Sequence, residues 1–576
     1  MKIRPPVDGP TTSSRLLPIR VWRRVPFVAF LVGVTIYSAY LRFQLYDALN
    51  RLFLIRIFFQ VALAALVIAT MRNLVGVRTL GLFAPAIVAL AFLATGLPLG
   101  LALLGIILAV VMLTRGAILQ ERIQEAHRVA ILVTMVSITI SSIALLGLEF
   151  GLHELFFAVL FPVLISAWIG ERYVEQVTRV GWEAPTKYLF WTVTAIILSF
   201  LLITQDPLVD FVMLNPLTWP LLVLLNWLLG TRVRFRLSER YRFLGVRHYV
   251  LASDAFQGDF GDDVLTMTMR NREFIAKHNP PELMARLGKD AAKALLMAQG
   301  VPVARTFMVL KSNEDLAPFK GWLEKNGCFA IKPASGFGGE GILVSKGLKD
   351  GRYDTNMGAM DSGAVERHAV GIIDGEFHAG DQDAAVVEEL LVQHDSLRQI
   401  APVGLADVRV ICFLGYPVMA MMRIPTIASG GKANLHLGAV AAGVRISTGT
   451  IVHSVLHGLP QSYHPDTGQL LLGQKLPFWD EVLEVAAEAQ RLTGLGFAGV
   501  DVALDASKGP VVMEVNRRPG LEIQNANAAG LLRRLKMIEV LRKAELPVET
   551  RLEVVRKLDA EGWGLPGHSS ASGVPA

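Results

Sequence analysis

Residues 499–520 read GVDVALDASKGPVVMEVNRRPG. Two runs of β-forming residues, 500–504 and 511–515, flank a turn rich in Asp, Ser, Lys and Gly, which is the pattern of a β-hairpin. A four-residue loop, 506–509, closed by Asp505 and Pro510, sets Asp501 opposite Glu514. Asn516 lies two residues on and points to the same face as Glu514. Like charges directly opposite on a sheet destabilise it. A cation removes the conflict, and two carboxylates with an amide form an all-oxygen set suited to Mg²⁺ carrying a nucleotide's phosphates. Without a cation the same residues make an ordinary solvated hairpin bearing two acids. The rest of the chain decides between the two.

A chain of 576 residues is long enough for more than one domain. Hydrophobic residues make up 52% of it, and the mean hydropathy is +0.44. The excess lies almost entirely before Gly230, so a membrane half precedes a soluble half. Cys328 and Cys412 are the only cysteines. They offer no disulfide framework and no metal cluster. Lys and Arg outnumber Asp and Glu by 56 to 50, a formal charge of +6. Much of that charge flanks apolar spans, which argues for membrane orientation rather than nucleic-acid binding.

The first 25 residues are polar and basic, with Arg15, Arg20, Arg23 and Arg24 ahead of the first apolar run. No small-residue cleavage site follows, so the run reads as a retained span. Apolar segments at 26–41, 52–71, 80–95, 99–114, 129–147, 155–170, 188–204 and 217–230 give a membrane domain, 26–231, of about eight transmembrane helices. One set of loops carries Arg72, Arg78, Arg115, Arg122, Arg128, Arg172, Arg179 and Lys187, and Arg232–Arg242 follows the last span. Loops near 97, 148–154 and 205–216 carry no Lys or Arg, and only the loop near Arg42 and Arg51 breaks the pattern. The positive-inside rule then puts both termini in the cytoplasm. Arg56 is the one ionisable residue inside the spans as drawn and sits close enough to an end to snorkel, so an ion-coupled transporter has little support. Residues 232–263 read as a linker, basic and lipid-facing at first and acidic and flexible at 253–263.

In the soluble half, 264–545, residues 289–299 form a helix with Lys289 and Lys293 on one face. Residues 328–332 are a strand leading into ASGFGGEG, 334–341. Four glycines in eight residues let backbone N–H groups approach an anion, and Lys332 adds a point charge. The loop is neither a P-loop nor a G-x-G-x-x-G before a helix. A strand over 384–391 ends in Glu388, Glu389 and Leu391. A hairpin over 408–423 carries Asp407, Arg409 and Arg423 at or near its strand ends. Lys432, Asn434 and His436 alternate in KANLH, which as a strand points all three one way. An amphipathic helix, 478–493, leads into the opening hairpin. The tail, 546–576, is partly disordered, with Gly, Ser and Pro dominant from 561.

Taken in order, the lysine helix, IKPASGFGGEGI, VVEELL, DVRVICFLGYPVMAMMR, GKANLH and GVDVAL…VVMEVNRRPGL resemble the ATP-grasp superfamily. Within it the chain looks like RimK-type glutamate ligases and the α-L-glutamate ligase-like, sugar-transfer-associated group. The membrane half looks like the seven-helix module usually fused to an inactive transglutaminase-like domain, here without that domain. The resemblance implies an all-α polytopic membrane domain followed by an α+β ATP-grasp domain. It implies ATP held between two subdomains, with Lys289 and Lys332 on the phosphates and Ser335, Gly336, Gly338, Gly339 and Gly341 closing over them. Glu388, Glu389 and Leu391 would form the adenine hinge, and Asp501, Glu514 and Asn516 would hold Mg²⁺, or Mn²⁺ in its place. Arg409, Arg423, Lys432, Asn434 and Arg517 are then the candidates for an acyl phosphate and substrate carboxylates. Gly288 stands where relatives carry Asp.

The expectation is a multi-pass protein of the bacterial inner (plasma) membrane. It joins a small-molecule or peptide carboxylate to an amine through an acyl phosphate, and it meets lipid but no nucleic acid. Envelope-biosynthesis or transglutaminase- and protease-like proteins are its expected partners. The alternative is an ATP-binding membrane scaffold or sensor without ligase turnover.

Overall fold

The computed structural model describes residues 25–44, 55–118, 125–151, 163–233, 236–243, 246, 263–335, 340–377, 382–541 and 546–564. The chain divides into two compact units, Met1–Ser238 and Glu239–Ala576.

The first unit is helical. Its longer helices are Val25–Gln44, Ile55–Thr70, Phe83–Thr95, Leu97–Ile118, Glu125–Glu149, Val163–Val180, Glu183–Ile203, Asp206–Leu214 and Thr218–Arg232. The expected apolar segments overlap these helices, with at most three described residues of a segment left outside its helix, as at 80–82, and 52–54 and 155–162 lie outside the described residues. Among the described residues four helices are long and apolar enough to cross a membrane, over Ile55–Val75, Leu97–Arg115, Ala130–Glu149 and Glu183–Ile203. A fifth is added if the pair Asp206–Leu214 and Thr218–Arg242, bent by 106°, counts as one span. Phe92, Leu103, Ile107, Val111, Val136 and Ile196 form the heart of their shared core.

Two charged contacts depart from expectation. Arg56 has acidic partners. It pairs with Asp206 and, at 3.4 Å, with Asp210 on the helix Asp206–Leu214, its side chain 17% exposed. Arg115, near the end of Leu97–Ile118, is buried and meets Glu171 of Val163–Val180 at 3.3 Å. Such pairing between helices is how an apolar bundle tolerates ionised side chains.

The second unit is α+β with two antiparallel sheets. The six-stranded sheet runs β1 (Thr306–Leu310), β6 (Ala385–Glu388), β2 (Cys328–Pro333), β3 (Leu343–Lys349), β4 (Arg352–Thr355), β5 (Gly358–Met360). Phe319, Phe329, Ile331, Val365 and Val387 fill the core beneath it. The seven-stranded sheet runs β11 (Leu459–Pro460), β10 (Ile451–Leu456), β9 (Val440–Val444), β8 (Tyr416–Ile424), β7 (Asp407–Phe413), β12 (Phe497–Asp505), β13 (Gly509–Asn516). The hairpin of 499–520 is therefore β12–β13, at one edge of this sheet. Its base is set by three rings, Phe274, Phe413 and Phe497, with Phe274 and Phe413 5.6 Å apart edge to face.

The register keeps the expected pair by another route. Asp505 pairs with Gly509, so the turn holds three residues rather than four. That shift would slide Glu514 past Asp501, but Val502 pairs with Val512 and Asp501 with Glu514, leaving Met513 as a β-bulge. The bulge absorbs one residue and restores the alignment.

KANLH is not a strand. Gly430 and Gly431 take φ of +62° and +72°, which turns the chain. Asn434 caps a short 3₁₀ turn, Leu435–Leu437, by accepting the His436 N–H at 3.0 Å. Lys432, Asn434 and His436 therefore do not share a strand face. Residues 548–560, expected in the tail, form the helix Val548–Ala560, which buries Leu552 and Val555 against the seven-stranded sheet. In the stretch read as linker, Leu237–Arg242 is helical, while 247–262 lies outside the described residues.

Candidate functional site

β7, β8, β12 and β13 bring charged residues together at neighbouring register positions. Asp501 pairs with Glu514 on one side and with Arg409 on the other, and Asp407 pairs with Arg423. Arg409 closes a fork on Asp501, with Nε donating to Oδ1 at 2.7 Å and Nη2 to Oδ2 at 2.6 Å. Arg423 closes a second fork on Asp407, 2.6 Å at both points, and its Nη2 also donates to Asp501 Oδ2 at 2.8 Å. Asn516 Nδ2 donates to the same Oδ2 at 3.1 Å. Both aspartates are buried, so the guanidiniums replace the water a carboxylate would otherwise need.

The electrostatics differ between the two acids. Burial pushes Asp407 up to about 6, and the nearby Asp501 carboxylate adds to that against the pull of Arg423. Burial acts on Asp501 in the same sense, but the guanidiniums of Arg409 and Arg423 outweigh it and hold Asp501 below the usual carboxylate range.

Among the described residues no three His, Cys, Asp or Glu side chains converge as a metal cluster. A cation here would rest on two carboxylates and an amide. That donor set fits Mg²⁺ chemically, being all hard oxygen. Asn516 turns its amide nitrogen toward Asp501, which leaves its oxygen as the acceptor of the group. Asp501 already accepts four hydrogen bonds, about the capacity of one carboxylate.

The six-stranded sheet supplies the second half. Lys332 on β2 meets Glu388 Oε2 at 2.7 Å, and Lys293 on the helix Lys289–Ala298 meets Oε1 of the same carboxylate. Glu388 is buried and is the shared counter-ion of two lysines. Lys289 begins the helix, and its side chain lies outside the described residues. Gly336, Gly338 and Gly339 lie outside them as well. The loop's described ends are fixed. The Ser335 N–H donates to Asp383 at 3.0 Å. Gly341 has φ +69°, and a Cβ there would stand 2.7 Å from the Phe377 ring and 2.8 Å from Pro333, so only glycine fits.

The segment after β6 is tied to the turn of the β12–β13 hairpin. Glu389 pairs with Lys508. Asp505 accepts the Val392 N–H at 2.8 Å, and the Ala506 N–H donates to the Val392 carbonyl at 2.8 Å. Glu388, Glu389 and Leu391 thus lie on the path joining the two sheets. Lys432 and Asn434 sit in the turn described above. Arg517 donates to the Met284 carbonyl.

Sequence reasoning missed Asp407 as a site component, the Lys293–Glu388 contact and the Asp383 anchor. The sequence marks Asp407 only as a charge at a strand end, and its cross-strand pairing with Arg423 is the signal that could have found it. The other two contacts join residues 95 and 48 apart in sequence, which no local pattern reveals.

Comparison with known proteins agrees with this architecture. Residues 269–540 match the family described as sugar-transfer associated ATP-grasp, and residues 32–247 match the family of seven transmembrane helices usually fused to an inactive transglutaminase. A probable alpha-L-glutamate ligase of Alcanivorax borkumensis is 34% identical over 145 residues, 24% of this chain and 36% of that protein. One from Marinobacter nauticus is 34% identical over 138 residues, 23% of this chain and 34% of that protein. The chain therefore spans about a third of the length of these relatives. The solved ATP-grasp ligase PsnB with its minimal precursor has 16% identity and a TM-score of 0.27, covering 46% of this chain and 63% of that one.

Proposed function

We propose that this chain, whose soluble half matches the sugar-transfer-associated ATP-grasp family and whose helical half matches the seven-helix membrane family, is a membrane-anchored, Mg-ATP-dependent carboxylate–amine ligase. A substrate carboxylate oxygen attacks the γ-phosphorus of ATP, and ADP leaves. The amine nitrogen of the second substrate then attacks the acyl carbon. Phosphate departs, the nitrogen loses its proton, and an amide remains. The reaction needs no protein nucleophile, only positioning and charge neutralisation.

In this proposal Glu514, Asn516 and Asp501 hold Mg²⁺, which offsets charge on the phosphates. Lys332, Lys293 and Lys289 attract the phosphates. Glu389–Leu391 border the adenine through the backbone. Arg409 and Arg423 orient the reacting carboxylate or acyl phosphate, since a guanidinium grips such groups at two points. The soluble half faces the cytoplasm of a bacterial inner membrane, where ATP is available, as the arginine-rich loops favour. The acid is an amino acid, peptide or envelope precursor.

The observation that carries this reading is the pairing of Asp501 with Glu514 across β12 and β13, with Asn516 beside them. The test is ADP release by the detergent-solubilised chain over a panel of acids and amines, in wild type and Glu514→Gln. Turnover in wild type that Glu514→Gln loses by orders of magnitude supports the ligase. Equal turnover in the two removes Glu514 from the cation site. Nucleotide binding with no turnover for any pair favours the scaffold or sensor.

A further inference from the structure

The loops at one end of the seven-stranded sheet carry apolar surface that the scheme above does not use. Ile427 and Leu459 are each 70% exposed, and Leu437, Tyr463 and Leu470 are exposed as well. Contacts between the segments that hold these side chains join them into one face. The Ile427 N–H donates to Asp466 Oδ2 at 2.7 Å, and His464 Nε2 lies 3.2 Å from the Pro425 carbonyl oxygen. A Cβ on Gly438, next to Leu437, would stand 3.5 Å from His457 and 3.7 Å from Ala428. Leu459 sits just past His457 in the β10–β11 hairpin, and Tyr463 pairs with Leu470. Residues 425–470 include only three charged side chains, Lys432, Arg445 and Asp466. A joined apolar face with so little charge marks a place where another apolar body docks.

We propose that this face of the soluble unit seats in the surface of the lipid bilayer that anchors the helical half. The proposal rests on the membrane reading of that half and not on the ligase chemistry. The tether identifies the occupant. The chain enters the soluble unit at Glu239, shortly after the apolar helix Thr218–Arg232, and extended chain crosses that gap in roughly 25 Å at most. It then packs on the short helix Ile523–Asn527. Arg242 Nε donates to Glu522 Oε1 at 2.6 Å, and Asn525 Nδ2 donates to the Arg242 carbonyl at 3.1 Å. That helix lies over β9 and β10, where a Cβ on Gly443 would stand 2.3 Å from the Ala526 carbonyl oxygen and His453 Nδ1 is 3.2 Å from it. From His453, β10 runs to Leu456, the partner of Leu459, roughly 10 Å away at the rise of a strand. The tether therefore reaches the soluble unit on the strands that carry the apolar face, and chain length keeps that face close to the bilayer.

The chemistry of both suits lipid. Tyr241 on the tether is exposed next to the exposed Arg240, an aromatic and a cation of the kind found at a headgroup layer. On the face, aliphatic and tyrosine side chains can enter the boundary between headgroups and acyl chains without stranding an ion. Asp466 is the one acid on its segments, and its carboxylate already accepts the Ile427 N–H. Lys432, His436 and His457 lie on the same segments, so anionic headgroups meet little repulsion. Together with the ligase reading, a seated face favours a substrate presented at the bilayer surface over one free in solution.

The experiment puts single fluorescent labels on the full chain in nanodiscs of phosphatidylcholine with a minority of phosphatidylglycerol. Cys328 is exposed and is replaced by Ser, while Cys412 is buried and stays. A nitrobenzoxadiazole label is attached in turn to Ile427→Cys, Leu459→Cys, Met357→Cys and Leu113→Cys, all at exposed positions. Met357 lies in the β4–β5 turn of the other sheet, and Leu113 lies on the apolar helix Leu97–Ile118. The quencher is phosphatidylcholine with a nitroxide near the headgroup end of its acyl chain. Quenching at positions 427 and 459 should exceed that at Met357 about twofold or more, as for side chains seated roughly 5–10 Å into the boundary. Adding Leu459→Glu to the labelled Ile427→Cys chain should lower quenching toward the Met357 level, because a carboxylate resists leaving water. Quenching at 427 and 459 no greater than at Met357 overturns the proposal. A blue-shifted emission there without quenching overturns it too, and assigns the face to a second copy, another protein or a substrate. Equal quenching at all three soluble positions overturns it, since lipid contact then does not single out this face. A Leu113 label that lipid does not quench removes the membrane reading and the proposal with it. Selective quenching of 427 and 459 in a chain without ligase turnover supports the proposal while the ligase reading fails.

Discussion

Arg409 and Asp501 face each other across β7 and β12 in a two-point ion pair, Nε to Oδ1 at 2.7 Å and Nη2 to Oδ2 at 2.6 Å. Asp501 is at once the cross-strand neighbour of Glu514. The like-charge conflict on the hairpin is thus eased from the opposite strand, by a guanidinium instead of by a cation alone. The arginine offsets the buried charge of Asp501 beside Glu514.

Removing Arg409 therefore leaves a buried carboxylate with Arg423 and Asn516 as its remaining partners. Arg409→Ala should cost about 3–5 kcal/mol of stability, the range for breaking one side of a buried pair. Denaturant unfolding of the solubilised chain followed by tryptophan fluorescence reads this directly. A loss well under 1 kcal/mol would show that the pair is solvated in solution.

Lys332 shares the Glu388 carboxylate with Lys293. Lys332→Ala removes one charged donor from the proposed phosphate site and leaves Lys293 holding Glu388. ADP affinity measured by calorimetry should fall about tenfold or more, the equivalent of one hydrogen bond to a charged group. Affinity equal to wild type would take Lys332 out of the phosphate site.

Asn279 acts as one residue of missing strand at the start of β12. It accepts the Phe497 N–H at 2.8 Å and donates to the Phe497 carbonyl at 2.9 Å, and it is buried. Asn279→Ala strands two buried backbone groups and should destabilise the soluble half by about 2–4 kcal/mol. The shift in its thermal transition measures the loss, and Asn279→Asp should restore only the N–H contact.

The turn of the hairpin titrates. Burial pushes Asp505 up, but hydrogen bonds from the Ser507 hydroxyl and from the Val392, Ser507 and Lys508 N–H groups outweigh it and hold the carboxyl below its ordinary value. A depressed folded value means the contribution is fully present above the unfolded value of about 4 and is lost as the pH falls through the folded one. The stability difference between wild type and Asp505→Asn should be constant from pH 7 to 5 and shrink below about pH 4. A difference that grows on acidification would contradict the turn geometry.

The Asp501–Glu514 pair was legible for a physical reason and by a fortunate cancellation. Alternation over 500–515 fixes strand faces locally, but the turn is one residue shorter than the spacing implied, and the Met513 bulge makes up the difference. KANLH was misread because paired glycines and the Asn434 cap override alternation. The helix Val548–Ala560 was hidden behind a Gly- and Pro-rich end, although Leu552 and Val555 carry a helical spacing that buries both.

By itself, the sequence determined what is local or compositional: an apolar helical half ahead of a soluble one, the order of strands and loops, and the hairpin that aligns two acids with an amide. These follow from residue periodicity, turn chemistry and hydropathy, which act over a few residues at a time. The tertiary structure decided how charge is balanced. It turned Arg409 and Arg423 onto Asp501, put Asp407 behind Arg423, and closed Lys293 and Lys332 on Glu388. Those pairs join residues 16 to 95 positions apart. A buried ion is stabilised by whichever opposite charge the packed sheets bring within hydrogen-bond reach, and that distance is set only when the chain has folded.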